Sequence, residues 1–158
     1  MATTMIASNA MAATETVTAN IEFAAPLILT KNSDIDFGTV SAGVADTYTI
    51  NTSGTVTAAG SGQTLGGVPT AGDITVSGSS TQVVDISVGN YTANNGVTPQ
   101  NATCSYNGGS EVSCNSLTGV AAPGSGTTLL LGVQAVVNGT QASGTTAAPT
   151  FDVTVVYQ

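Results

Sequence analysis

Apolar and polar residues alternate in short stretches along most of the chain. The clearest stretch lies near the start, where every second residue is apolar and the residues between are threonine, asparagine and glutamate. Because the side chains of a β-strand point alternately to opposite faces, this pattern predicts a half-buried strand over residues 15–23. The apolar positions of this strand are Val17, Ala19, Ile21 and Phe23.

A second alternating stretch ends the chain and finishes on a penultimate tyrosine. One face of this C-terminal strand is expected to belong to the core of the protein. The residues on that face are Phe151, Val153, Val155 and Tyr157.

Turn-forming residues separate the alternating stretches, and residues typical of helices are scarce. This combination predicts an all-β domain with almost no helix. Residues 129–133 are apolar on both sides, as in a central strand or in a strand whose second face meets another subunit. Two low-complexity segments, residues 60–67 and 139–148, are predicted to be surface loops. The predicted strands are residues 15–23, 27–31, 35–40, 46–51, 55–58, 73–77, 82–88, 102–106, 111–115, 128–137 and 151–157.

Pro26 lies between the first two predicted strands. Proline lacks a backbone N–H and restricts the residue before it, so it interrupts strand pairing. The residues ahead of it can therefore leave the domain without disturbing those that follow. We predict three regions: residues 1–13 as the remnant of a secretory signal peptide or an N-terminal tail, residues 14–25 as a donor strand, and residues 26–158 as one β-sandwich domain.

Charged residues make up only 6% of the 158 residues, and Lys31 is the single basic one, which gives a formal net charge of −8. Binding to nucleic acid or to an anionic membrane needs several lysines or arginines, so we expect neither. No apolar stretch approaches the roughly 20 residues of a membrane-spanning helix. A surface of threonine, serine, asparagine and glycine suits assembly with other subunits instead.

The two cysteines, Cys104 and Cys114, bracket a turn-forming Asn-Gly-Gly sequence at residues 107–109. Folding the chain back at this turn brings the cysteines opposite one another on paired strands, which predicts a disulfide bond. A disulfide bond implies an oxidising compartment. The alternative, a metal site, lacks further ligands because the chain has no histidine.

The chain offers little chemistry for catalysis. It has no histidine to serve as a general base, and serines without such a base are typical of strands and turns. Asp34 and Asp36 share one face of a predicted strand and could ligate calcium, as could Asp46, but polar strand-face residues are the simpler interpretation. We expect no enzymatic activity, no cofactor and no metal.

The segment from Thr18 to Val40 resembles the start of an uncharacterised family of secreted bacterial β-sandwich proteins. Members run from a leader into an alternating strand, a proline-led strand and a D-[LI]-x-F-G-x-[IV] motif, which residues 34–40 match as Asp-Ile-Asp-Phe-Gly-Thr-Val. They finish on a strand similar to residues 150–157. The resemblance implies a pilin-like or surface-fibre role rather than a chemistry.

A more distant resemblance is to the chaperone–usher pilins, whose C-terminal strand carries a penultimate tyrosine and a glycine fourteen positions from the end. Tyr157 and Gly144 match these positions. The resemblance implies homopolymers assembled with a periplasmic chaperone and an outer-membrane usher. The close spacing of Cys104 and Cys114 departs from the usual pilin disulfide, which joins strands far apart in sequence.

These features predict a structural subunit of an extracellular bacterial filament, a pilus- or fimbria-like appendage used in cell adhesion. An immunoglobulin-like sandwich that lacks one strand exposes unpaired backbone groups above an apolar groove until another strand fills it. Residues 15–23 could supply that strand to a neighbour and build a homopolymer by donor-strand exchange, or they could pair within their own domain. The alternative function is a monomeric secreted or surface-attached β-sandwich that acts as an adhesin or binding module.

Overall fold

A computed structural model describes residues 12–158, so most of the predicted N-terminal tail, residues 1–11, lies outside the described residues. The described part of the chain contains β-strands and one short 3-10 turn at Cys114–Ser116, and no α-helix. The all-β prediction is therefore confirmed. The strands are β1 (Ile28–Ser33), β2 (Thr39–Val40), β3 (Ala45–Ile50), β4 (Val56–Ala58), β5 (Thr64–Gly66), β6 (Gly72–Ser77), β7 (Val84–Thr92), β8 (Val97–Tyr106), β9 (Val112–Ser113), β10 (Leu117–Val120), β11 (Thr127–Asn138) and β12 (Thr150–Tyr157).

The larger sheet has seven strands and is built around β11. One edge of β11 pairs with β8, while the other pairs with β6 over residues 127–131 and with β3 over residues 133–138. The change of neighbour falls at Gly132, where a Cβ atom would lie 2.5 Å from the carbonyl oxygen of Ile50, so only glycine fits without a shift. Strands β1, β4 and β9 lie outside β6, β3 and β8. The expectation that residues 129–133 form a central strand is confirmed.

The smaller sheet has three strands in the order β10-β7-β12, and it packs against the larger sheet in a sandwich-like arrangement. Strands β2 and β5 form a separate two-stranded sheet at one side. The core lies where the two larger sheets meet, because alternate residues of their strands point into the space between them. Its best-buried members are Ile50, Val76, Val84, Ile86 and Leu129.

Several stretches differ from the sequence prediction. Residues 15–23, predicted as a half-buried strand, are exposed and belong to no strand. Residues 64–66, predicted as part of a loop, form β5, and β10 was not predicted at all. The strand predicted over residues 35–40 was largely wrong, since only residues 39–40 belong to a strand. The extended chain is broken there by Gly38, whose φ of 67° lies in the left-handed region that favours glycine.

The predicted disulfide bond between Cys104 and Cys114 is present, and both cysteines are fully buried. The predicted geometry was only partly right. The residue opposite Cys104 on β9 is Val112, and Cys114 follows β9 as the first residue of the 3-10 turn. The disulfide bond thus ties β8 to the chain between β9 and β10, at the side of the core.

One buried carboxylate fixes the connection between β4 and β5. Asp46 accepts hydrogen bonds from the backbone N–H groups of Thr47 and Gly60, at 2.7 and 2.8 Å, and from that of Gly62. Burial acts to raise the pKa of Asp46, but these donors outweigh burial and lower the pKa below its ordinary value of 3.8. Asp46 is therefore a structural residue, and its carboxylate is occupied by backbone donors rather than available to calcium.

Glu111 makes a second contact of this type. Its Oε2 atom accepts hydrogen bonds from the backbone N–H and the hydroxyl of Thr52, at 2.9 and 2.8 Å. Burial acts to raise the pKa of Glu111, but the Thr52 backbone N–H, the Thr103 hydroxyl and the Thr52 hydroxyl lower it on balance. This contact joins the turn after β8 to the turn after β3.

The disulfide bond should add about 2–3 kcal/mol to the free energy of unfolding, because it closes a short loop in the unfolded chain. We expect the double variant Cys104→Ala/Cys114→Ala to unfold at a lower urea concentration with a similar denaturant slope. Urea denaturation followed by circular dichroism measures the midpoint of unfolding and the denaturant slope. Equal midpoints for the oxidised protein and the double variant would contradict this role.

Asp46→Asn should lower the melting temperature at neutral pH, because the charged acceptor of several backbone N–H groups is lost. The folded-state pKa of Asp46 lies below the unfolded value, so its stabilisation is present above about pH 3.8 and is lost as the pH falls through the folded-state pKa. The melting temperature of the variant should therefore fall less steeply than that of the wild type between pH 5 and pH 2. Melting curves over this range provide the measurement.

The matched control is Asp34→Asn, which removes an exposed carboxylate bonded to Lys31. It should leave the melting temperature at neutral pH close to that of the wild type, because an exposed ion pair contributes little to stability. An Asp46→Asn curve parallel to that of the wild type would show that Asp46 does not contribute to acid unfolding.

Candidate functional site

The segment ahead of the domain is the first unusual feature. Residues 12–26 are exposed throughout and belong to no strand. The exposed fractions of Val17, Ile21 and Phe23 are 88%, 76% and 84%, and Ala19 is exposed as well. A single strand has no partner for its backbone N–H and C=O groups, so the alternating pattern alone cannot hold residues 15–23 in a sheet. The four predicted donor residues thus lie together on a segment that the domain leaves unburied.

The segment joins the domain at a contact that we call the clamp, formed by Tyr157, Ala25 and Ser79. The Tyr157 hydroxyl donates a hydrogen bond to the carbonyl oxygen of Ala25 and accepts one from the backbone N–H of Ser79, both at 2.6 Å. Leu27 is half-buried and packs against the core beside the clamp. The clamp closes the space between the two sheets at the end of β12.

The other edge of β12 is free. Among the described strands β12 pairs only with β7, and the backbone N–H of Gln158 bonds to the carbonyl oxygen of Val83 on that side. Because residues of an antiparallel strand alternate in the direction of their backbone groups, the N–H and C=O groups of Val153 and Val155 point to the free edge. These backbone groups have no strand partner in the described part of the chain.

Next to the start of β12, an open apolar groove runs over the inner face of the larger sheet. Two connected cavities of about 550 and 530 Å³ form it, and they share Phe37, Ala135 and Pro149 in their lining. We call this feature the groove. Its floor is β11 from Leu131 to Val137. One wall is Phe151, Val153 and the loop that precedes β12, and the opposite wall is residues 35–40.

The inward-facing side chains around the groove are buried to different degrees. Phe151, Val153 and Val155 point inward but are only half-buried, as are Ile74 and Phe37. In a closed sandwich, residues facing inward from both sheets are buried against each other. The half-buried Phe37, Ile74, Phe151 and Val153 line the groove, whereas its floor residues Leu131, Val133, Ala135 and Val137 are buried.

The rim of the groove carries the one basic side chain. Leu29 and Lys31 pair with Val76 and Ile74 of β6, so they face inward on the edge strand β1, yet Leu29 is 40% exposed and the Lys31 side chain 62%. The Lys31 ammonium bonds to Asp34 at 2.7 Å. An inward-pointing charge on an edge strand discourages unselective pairing with other strands.

The Asp-Ile-Asp-Phe-Gly-Thr-Val motif forms the wall opposite β12. Ile35 and Phe37 are half-buried and pack against the core, while Asp36 accepts a hydrogen bond from the backbone N–H of Gly38 at 2.7 Å. A Cβ atom on Gly38 would lie 2.6 Å from the carbonyl oxygen of Gly66, so the glycine allows β2 and β5 to approach. The motif therefore shapes the groove.

The aspartates considered as calcium ligands have separate partners. Asp34 bonds to Lys31, Asp36 to Gly38 and Asp46 to the loop after β4. In the described part of the chain, no group of three or more histidine, cysteine or acidic side chains is placed to hold a metal ion.

One residue assigned to the C-terminal strand lies elsewhere. Gly144 is exposed, has a φ of 84° and belongs to the loop before β12, which begins at Thr150. Its assignment to that strand was wrong, because the chain turns at this glycine instead of remaining extended. Phe151, Val153, Val155 and Tyr157 do lie on the inward face of β12.

Sequence reasoning missed the floor of the groove. Ala135, Val137, Val97 and Tyr48 come from three strands that are distant in sequence. The only sequence signal was the apolar run at residues 129–133. The run did not indicate which part of β11 lies under the groove.

Within residues 12–158, no helix is long and apolar enough to cross a membrane.

No curated protein and no solved structure matches the sequence. One family model matches, that of a domain of unknown function (DUF4402), and it covers residues 27–157. The match contains β12, the groove and the clamp residues Ser79 and Tyr157, and it stops short of residues 12–26. Membership of an uncharacterised family is thereby confirmed: the chain belongs to the DUF4402 family.

Proposed function

We propose that this protein is the structural subunit of an extracellular bacterial filament, pilus- or fimbria-like, that polymerises by donor-strand exchange. In this mechanism residues 14–25 of one subunit lie in the groove of the next. The observation that carries the proposal is that one chain has both an exposed apolar strand sequence and an open apolar groove.

The donor segment and the groove agree in length. Residues 17–23 extend over about 20 Å at about 3.3 Å per residue, and so does the floor of the groove from Leu131 to Val137. The four apolar donor residues would face this floor. A donor of this length would therefore span the groove along the floor formed by β11.

The donor segment and the groove also agree in chemistry. With Val17, Ile21 and Phe23 turned to the floor, the intervening polar residues Thr18 and Asn20 face solvent. The donor backbone can pair with the free edge of β12. Such pairing satisfies backbone groups and buries apolar side chains in one step.

The contact would be head to tail. The segment leaves each subunit at the clamp, whereas the groove lies at the start of β12, so donor and acceptor are different surfaces. A contact between different surfaces that does not close into a ring produces an open filament. The disulfide bond supports an extracellular location. A chaperone that covers the groove before assembly, and an usher, belong to the same proposal.

Deleting residues 1–23 should abolish polymerisation and leave the melting temperature of the monomer almost unchanged, because residues 12–23 are exposed in their own subunit. Negative-stain electron microscopy and light scattering of the purified proteins measure polymerisation. We expect ordered fibres from the full chain and none from the truncated one. Fibres from the truncated chain would exclude the donor role.

A matched pair of variants separates the two faces of the donor. Ile21→Ser/Phe23→Ser should prevent fibres, since each apolar side chain is worth about 1.5–3 kcal/mol when fully buried. Thr18→Ser/Asn20→Ser changes the polar face of the same segment and should polymerise like the wild type. Equal fibre yields from both variants would contradict the proposed orientation.

A subunit that carries its own donor should be a stable monomer. We would delete residues 1–23 and attach a copy of residues 14–25 after Gln158 through a short glycine–asparagine turn, so that the copy runs antiparallel to β12. Filling the groove should raise the melting temperature by more than about 5 °C. The control fusion carries serine at the positions that correspond to Val17, Ile21 and Phe23. No difference in melting temperature between the two fusions would show that the groove does not accept this segment.

A further inference from the structure

The clamp determines the direction in which the N-terminal segment leaves the domain. The Tyr157 hydroxyl bonds to Ala25, immediately before Pro26, and to the backbone of Ser79. The surroundings are tight, because a Cβ atom on Gly78 would lie 2.4 Å from the Tyr157 hydroxyl oxygen and 3.0 Å from Leu27. The Tyr157 hydroxyl is thus closely surrounded and holds the Ala25 carbonyl oxygen, while Ala25 and the residues before it are exposed.

This attachment restricts how the segment could reach its own groove. The clamp lies at the end of β12, and the groove lies beside the start of β12. The segment would have to reverse at Ala25 and run back, which makes it parallel to β12. A segment from a second copy has no such constraint and can run antiparallel, the pairing that is slightly more stable per residue.

We propose that Tyr157 is a positioning residue that keeps the N-terminal segment out of its own groove and directs it to a second copy of the chain. The inference rests on the proposed function for the destination of the segment. The effect within one subunit can be measured without polymerisation. Reversal requires Ala25 to move, and the hydrogen bond to Tyr157 opposes that movement.

The test compares Tyr157→Phe with the wild type in dilute monomer. Phenylalanine retains the ring packed against the core and loses both hydrogen bonds. Spin labels at Thr18→Cys and Thr154→Cys, with the native disulfide bond intact, report the position of the segment by pulsed electron resonance. At about 3.3 Å per residue, a segment that leaves outward places the labelled positions about 30 Å apart, and a reversed segment places them within about 15 Å.

We expect the long distance in the wild type and a short-distance population, increased about fivefold, in Tyr157→Phe. The fibre yield of the unlabelled variant should fall correspondingly. The matched control is Tyr106→Phe, which removes the hydrogen bond from a tyrosine hydroxyl to the carbonyl oxygen of Ala121 elsewhere in the core. It should lower the melting temperature and keep the long distance.

An unchanged distance in Tyr157→Phe, or the same shortening in Tyr106→Phe, would overturn the inference. If Tyr157→Phe does not fold, Gly78→Ala tests the same clamp, because the added Cβ atom displaces the Tyr157 hydroxyl. If the wild type forms no fibres, the proposed function fails, and the distance measurement still decides whether Tyr157 sets the direction of the segment.

Discussion

A sheet of three strands faces a sheet of seven, and beside the groove the inward-facing side chains of β12 are only partly buried. Hydrophobic burial is the main favourable term in folding, so an uncovered apolar surface is unfavourable for an isolated subunit. The inward-facing residues of β12 are half-buried, whereas Leu131, Val133, Ala135 and Val137 on the floor of the groove are buried. The remaining features of the site concern access to the groove.

The rim of the groove carries a charged side chain on one side and free backbone groups on the other. The wall formed by residues 35–40 is held in place by Gly38 and by the bridge between Asp36 and Thr70. Lys31 places a charge at the inner side of the edge strand β1, while β12 presents free backbone groups. Under the proposed strand exchange, a donor strand is therefore favoured along β12 and disfavoured along β1. This asymmetry would allow one strand to be accepted without promoting random edge-to-edge aggregation.

Local patterns predicted the parts of the fold that depend on neighbours in sequence. Alternation located β6, β7 and β12, and the Asn-Gly-Gly turn between the cysteines predicted their disulfide bond. The rest depended on contacts between distant residues. The sequence contains no signal for the change of partner at Gly132, because the atoms that demand glycine belong to residues 50 and 103. The four apolar donor residues could be identified as a set, but the groove could not, since its lining comes from strands throughout the chain.

The pairing pattern also orders events during synthesis. Without β11 and β12, the other strands form five separate pairs: β1 with β6, β2 with β5, β3 with β4, β7 with β10 and β8 with β9. An isolated two-stranded pair is marginally stable in water. A chain that emerges N-terminus first therefore cannot form its core until residues 127–157 are available. The exposed residues 12–26 are synthesised before the groove of their own subunit can form, so under the proposed strand exchange timing also favours a neighbour that has already folded.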